Sequence, residues 1–294
     1  MAANDQAAEG TALAKTYYDS DDAQKFYSAI WGEETLHIGR YDRLTEEDKQ
    51  SLSLQAQISK AEEYHEIDFI EHIRSKFPDK KVVMLDMGCG YGGLLRRLVQ
   101  AGVVEKATGC DISQKMCEQA RRLNEEQTCA DVVQIVEESY LSVKSVADES
   151  CDLVISMDAL LHVGPQGQVD AVKEAARVLK PGGWMIFSDI MQQEVVDEKE
   201  MQPIYDRIHL SKMGTVSNYQ QAMEQAGFTN FRALPNSSTN VSTHYGTVLM
   251  VLEEKGDEIG ISQEYQQKMK AGLTTWRDLG EKNIVWGFIM AQKK

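Results

Sequence analysis

The chain's hydrophobic pattern centres on a short apolar run closed by glycines, VVMLDMGCGYGG at Val82–Gly93. Four apolar residues lead into Asp86, and glycines follow at 88, 90, 92 and 93. Such a run reads as a strand buried on both faces, ending in a tight turn. Further apolar runs predict strands at 106–110, 131–136, 151–157, 184–189 and 228–234, with a last one at Ile284–Ala291. Between them the spacing changes to three and four, which predicts helices at 94–101, 114–126, 167–180 and 217–226. Gly102 and Gly227 suit the ends of two of these helices, and LKPGG at 179–183 stops a third. Upstream, apolar positions from Leu52 to Phe77 predict helix over 45–77. Ser20 or a neighbouring aspartate can cap a short helix carrying Phe26, Tyr27 and Ile30. Downstream, 190–214 reads as a polar insert ending in YDRIHLSKMG, and a long helical stretch precedes the final run. Strands alternating with helices define an α/β class, a parallel sheet with helices on both faces. Ligands of such sheets lie beyond the carboxyl ends of the strands, where strand order reverses. The residues at that edge are Asp86–Gly90, Asp111, Ser139–Tyr140, Met157–Asp158 and Asp189.

Composition narrows the picture. A chain of 294 residues suits one large domain, or one domain with an appended cap. Its net charge of -15 argues against a nucleic-acid partner, since phosphate binding needs clustered cations. No apolar run reaches membrane-spanning length and no signal peptide is visible. The expectation is a soluble, cytoplasmic protein that binds small molecules, with no membrane partner; a homo-oligomer stays open. The five cysteines are odd in number and form no CxxC pair. They read as reduced and semi-buried, with no metal. Residues 1–12, rich in Ala, Gly and Asp, are expected to be unstructured.

The glycine-rich turn matches GxGxxG, so a dinucleotide reading has to be weighed, but that motif alone is weak. Asp86, two residues before the first glycine, suits a ligand's ammonium group better than a pyrophosphate. Asp111 can accept hydrogen bonds from both hydroxyls of a ribose in either reading.

LDMGCGYGG, GCDIS, DLVISMDALLHV, RVLKPGGWMIFSD and the AGF before the sixth strand resemble the S-adenosylmethionine-dependent methyltransferases of the Rossmann-like class. YYDSDDAQKFYSAIWGEETLHIGRYD, QPIYDRIHLSKMG and the WGFIM ending extend this over almost the whole chain, which resembles the sarcosine/dimethylglycine N-methyltransferases that make glycine betaine. The resemblance implies a Rossmann-like methyltransferase fold: a mostly parallel seven-stranded sheet with helices on both faces and helical lid insertions. It implies one domain over 1–294, with an N-terminal helical lid at 1–78, a cofactor-binding core at 79–235 carrying the insert 190–214, and a helical insert and last strand at 236–294. The cofactor implied is S-adenosyl-L-methionine. Asp86 would face its ammonium group, and Gly88 and Gly90 would approach its methionyl and ribose parts. Asp111 would hold the ribose, and Ile112 would pack on adenine with Ser139 and Tyr140 at its edge. Met157 would lie near the methionine part, and His37 and Gly39 would close over its carboxylate.

The chemistry is an in-line attack of a neutral amine on a methyl carried by a sulfonium, so positioning dominates. An amino-acid acceptor brings a carboxylate that wants a bidentate cation. Arg207 is the candidate, against the plainer reading of a surface arginine paired with Asp206. Tyr27, Trp31 and Tyr205 offer aromatic faces to a substituted ammonium, although aromatics also simply pack. His162 either accepts a proton or orients the acceptor. Met213 either lines the methyl pocket or fills core. A lipid, sterol or cyclopropane-type acceptor is the alternative, and the polar insert argues against it. An NAD(P)-dependent oxidoreductase and a catalytically dead binding protein are the remaining readings.

Overall fold

A computed structural model describes residues 15–16, 18–32 and 34–294. The expectation for residues 1–12 lies outside them. The first apolar run forms strand β1 (Val82–Met87), almost wholly buried. After it come β2 (Val104–Asp111), β3 (Val133–Glu137), β4 (Cys151–Met157), β5 (Leu179–Gln192), β6 (Phe228–Pro235) and β7 (Ile284–Lys293). The sheet has seven strands in the order β3-β2-β1-β4-β5-β7-β6. β1 to β5 pair in parallel. β7 runs antiparallel to both β5 and β6, so the sheet is mixed. Strand order reverses between β2 and β4, on either side of β1, and the glycine-rich turn sits at that reversal.

Alternate residues of the strands feed two cores. Leu85, Met87, Val154, Met185 and Phe187 pack on one face against α6 (Gly164–Val178) and α8 (Val216–Gln225). Val82, Met84, Leu153, Ile155 and Ile186 pack on the other against α3 (Leu54–Lys76), α4 (Gly93–Gln100) and α5 (Gln114–Glu126). A period of two with both faces filled is what a covered sheet requires.

The remaining helices build a third cluster. Phe26, Ile30 and Trp31 of α1 (Asp21–Trp31) pack with Val248, Leu249, Val251 and Leu252 of α9 (Thr239–Ile259) and with Met269 and Leu273 of α10 (Gln263–Asn283). Ser20 caps α1, its hydroxyl accepting from the amide of Ala23.

Three expectations are adjusted. The helix over 45–77 is two helices, α2 (Glu46–Ser51) and α3. Thr45 forms a capping box with Asp48, and Ser53 caps α3, so the chain restarts between them. β5 runs on past Asp189 because Ile190, Met191 and Gln192 pair with Trp286, Val285 and Ile284 of β7. The segment read as a polar insert contains α7 (Glu198–Ile208), which buries Met201, Ile204 and Tyr205. Apolar residues at three and four spacing supply one buried face, and the charges occupy the other.

Candidate active site

Behind β1 the chain must turn sharply, and glycine supplies the backbone for it. Gly88, Gly90 and Gly92 have φ of 79°, 52° and 75°, which other residues rarely adopt. A Cβ at Gly88 would lie 2.5 Å from the Cβ of Ala159. The amides of Gly88 and Cys89 both donate to the Cys110 carbonyl, tying the turn to β2. At the β2 tip, Asp111 accepts from the amides of Gly90 (3.0 Å) and Ser113 (2.9 Å).

Two adjoining cavities open here. One, of about 90 Å³, is walled by Gly88, Gly90, Asp111, Ile112, Ser139, Tyr140 and Met157. The other, of about 40 Å³, is walled by His37, Asp86, Gly88, Gly90 and Met157. Burial, with the Asp111 carboxyl nearby, pushes Asp86 up to about 8. No side-chain hydrogen bond satisfies Asp86 among the described residues. Burial likewise raises Asp111, while the backbone amides of Ser113 and Gly90 pull the other way. His37 is buried, which disfavours its charge, yet Glu66 and Glu62 raise it to about 9. Its Nε2 stands 3.8 Å from Glu66, an ion-pair separation too long for a hydrogen bond. Gly39 lies elsewhere. It faces α3, where a Cβ would stand 2.6 Å from Ala61, so its role is close packing of the 34–40 segment on that helix.

A larger chamber of about 170 Å³ adjoins these cavities and is walled by Tyr27, Trp31, His162 and Arg207 among others. The Tyr27 and Trp31 rings lie 5.3 Å apart, and His244 lies 5.5 Å from Trp31. The Trp31 indole nitrogen is buried without a partner among the described residues. Burial, then the charge of Arg207, lowers His162 to about 4, so its ring is neutral at pH 7. The Tyr18 hydroxyl sits 3.2 Å from His162 Nε2. Arg207 Nη2 lies 2.9 Å from the Met269 sulfur. Tyr205 and Met213 do not reach the chamber. The Tyr205 hydroxyl donates to Gln192 Oε1 at 2.8 Å, and the Met213 amide donates to the same oxygen at 3.1 Å. Residues two apart on a helix point to nearly opposite sides, so Tyr205 and Arg207 cannot both face one cavity.

The chamber and the 90 Å³ cavity share Tyr18, Leu36, Asp158 and His162 as a common wall. Asp158 has a φ of 52° at the end of β4. Its carboxylate accepts from the Ile38 amide (3.0 Å), the Ser188 hydroxyl (2.7 Å) and the Trp286 indole (2.9 Å). The sequence marks Asp158 as a strand-tip residue with no role, and it marks none for Tyr18, His244, Lys268 and Trp276, which also line the chamber. Tyr18 belongs to the aromatic N-terminal stretch, a signal that was available. The other three lie on α9 and α10, where no motif marks them.

The residues on the small cavities suit an aminoacyl-nucleoside: a buried carboxyl awaiting a cation, a cradle that any side chain at 88 would fill, and a second acid at a ribose's distance in sequence. A family model described as a methyltransferase domain matches residues 85–187. The chain is a methyltransferase of the Rossmann-like fold. It is 35% identical to the sarcosine/dimethylglycine N-methyltransferase of Halorhodospira halochloris, covering 99% of this chain and 98% of that one. It is 34% identical to the protein of the same name from Aphanothece halophytica, covering 95% and 96%. A crystal structure from Galdieria sulphuraria, provisionally assigned as a sarcosine dimethylglycine methyltransferase, superposes with a TM-score of 0.82 at 29% identity, covering 93% of this chain and 99% of that one. The chain belongs to the family of the sarcosine/dimethylglycine N-methyltransferases.

Proposed function

We propose that this enzyme methylates the amine of sarcosine and dimethylglycine, leading to glycine betaine. The observation that carries the reading is the aromatic chamber holding Arg207, which meets the glycine-rich cavities at Tyr18, Leu36, Asp158 and His162. When bound, S-adenosylmethionine supplies a methyl group on a positively charged sulfur. Asp86 faces its ammonium group and Asp111 its ribose hydroxyls. The backbone at Gly88, Gly90 and Met157 makes the close approach. Ile112, Ser139 and Tyr140 hold the adenine, and protonated His37 stands toward the methionyl carboxylate.

Arg207 holds the acceptor's carboxylate as a planar fork. Tyr27 and Trp31 present faces to the substituted ammonium, and Asp158 adds a carboxylate to that side. A group with a pKa of about 4 does not retain a proton at pH 7. His162 therefore orients Tyr18 and the acceptor rather than storing the released proton. The chamber's size and its cationic side chains, Arg207 and Lys268 among them, favour a small carboxylated amine over a lipid. We read the chain as one domain. Residues 79–235 form its cofactor core, and the described part of 1–78 with the helices of 236–294 serves as a lid.

The test is turnover. Purified protein with S-adenosylmethionine and each of glycine, sarcosine and dimethylglycine should give methylated product with the latter two. No product from any of them overturns the reading.

A further inference from the structure

On α10, Lys268, Gly272 and Trp276 follow one another at four-residue steps and line the chamber together. Four-residue steps keep side chains on one helix face. Gly272 interrupts that face. It lies inside the helix with a helical backbone, and Gly272 is absent from the residues of positive φ. Nothing in its conformation calls for glycine, and glycine weakens a helix interior relative to alanine. The reason for it is space. A Cβ built on Gly272 would stand 2.5 Å from Arg207 Nε, 3.0 Å from Cδ and 3.4 Å from Cζ. Real Cβ atoms do not approach that closely, so the guanidinium of Arg207 lies in the notch that the missing side chain leaves. Met269, three residues earlier on α10, meets the outer end of the same guanidinium through its sulfur. Arg207 comes from α7 and is half-buried, so this chamber cation is aimed by a helix other than its own.

We propose that Gly272 is a specificity-determining position: the notch it leaves in α10 fixes the Arg207 guanidinium where it can bind the acceptor's carboxylate. The proposal rests on the reading that Arg207 binds that carboxylate. An alanine at 272 displaces the fork by about the width of a methyl group. Misplacement on that scale is enough to weaken bidentate recognition strongly. The loss falls on acceptors that carry a carboxylate and spares amines of similar size that lack one, such as dimethylaminoethanol.

The experiment is a double-mutant cycle on the full chain with Gly272→Ala, Arg207→Ala and their combination. KM for dimethylglycine, the rate ratio of dimethylglycine to dimethylaminoethanol, and S-adenosylhomocysteine affinity are measured for each. Gly272→Ala should raise KM for dimethylglycine about tenfold or more and lower the ratio by a similar factor, with S-adenosylhomocysteine affinity unchanged. Alanine at 207 removes the Cδ, Nε and Cζ atoms that meet the new methyl, so Gly272→Ala should add less than about twofold in the Arg207→Ala background. A purely structural effect would add equally in both backgrounds, and that result overturns the proposal, as does a Gly272→Ala enzyme with wild-type KM while Arg207→Ala loses dimethylglycine. If Gly272→Ala alone is poorly folded, the double variant still decides: equality with Arg207→Ala supports the notch, and equal misfolding refutes it. If Arg207→Ala itself keeps the wild-type KM, the reading of Arg207 fails and the proposal falls with it, an outcome distinct from the others.

Discussion

Asp86 shows how much one side chain can impose on a binding reaction. At about 8, its buried carboxyl is mostly protonated at pH 7 in the free protein. An ammonium group beside it favours the anion, so binding expels the proton. Affinity for S-adenosylhomocysteine should therefore rise with pH up to about 8 and then level. Calorimetry at pH 7 in buffers of different ionisation enthalpy should detect the released proton. Asp86→Asn should abolish that release and weaken binding at least about tenfold, ~1.4 kcal/mol. Stability carries the opposite sign. Unfolded, the group ionises from its ordinary 3.8, whereas folded it resists until about 8. Its stabilising contribution is whole below 3.8 and is lost as pH rises through about 8. Ligand-free Asp86→Asn should gain stability over the wild type most clearly above that value, as urea unfolding at pH 6 and pH 9 can check. Asp86 and Asp111 were legible because a strand tip, an acid and glycines stand together in sequence. Tyr205 was not, since a motif names neighbouring residues without saying which side of the helix each faces.

Among the elements, the end of β4 is where three others are fastened. Asp158 holds the 34–40 segment through the Ile38 amide, β5 through Ser188 and β7 through Trp286. Its left-handed backbone is one that Asn tolerates and Ala does not. Asp158→Ala should cost ~1–3 kcal/mol in urea unfolding. Asp158→Asn should stay closer to the wild type. In the alanine variant the Ile38 amide loses its acceptor, and its hydrogen exchange should accelerate about tenfold or more. The strands and most helices were readable from periodicity, and the order of alternation carried the fold. α7 was harder. Its charged residues hide a buried face made of only Met201, Ile204 and Tyr205. α9 and α10 were read as helix but given no task, because residues such as His244 and Lys268 gain meaning only from the chamber they line.

For the whole molecule, charge acts collectively. A net charge of -15 repels itself in the compact state. Salt shortens the screening length to about 3 Å near 1 M, which relieves that repulsion. The melting temperature should climb by several degrees between low salt and 1 M sodium chloride at pH 7.5, with about 1 kcal/mol shifting it ~2–4 °C. Near the isoelectric pH of about 4.9 the same salt step should raise it far less. A melting temperature that ignores salt at both pH values would show that repulsion is not a significant term. β7, finally, sets a schedule for the nascent chain. It is synthesised after the other six strands, yet it is inserted between β5 and β6. Until it leaves the ribosome, the long edge of β5 has no neighbour on that side and β6 has no place in the sheet. Trp286 arrives with it, so Asp158 waits for its indole partner until the last strand is made. Closure of the sheet and completion of the wall between the two cavities are thus one event, and a stalled chain ending before Ile284 exposes a sticky strand edge and a half-built pocket together.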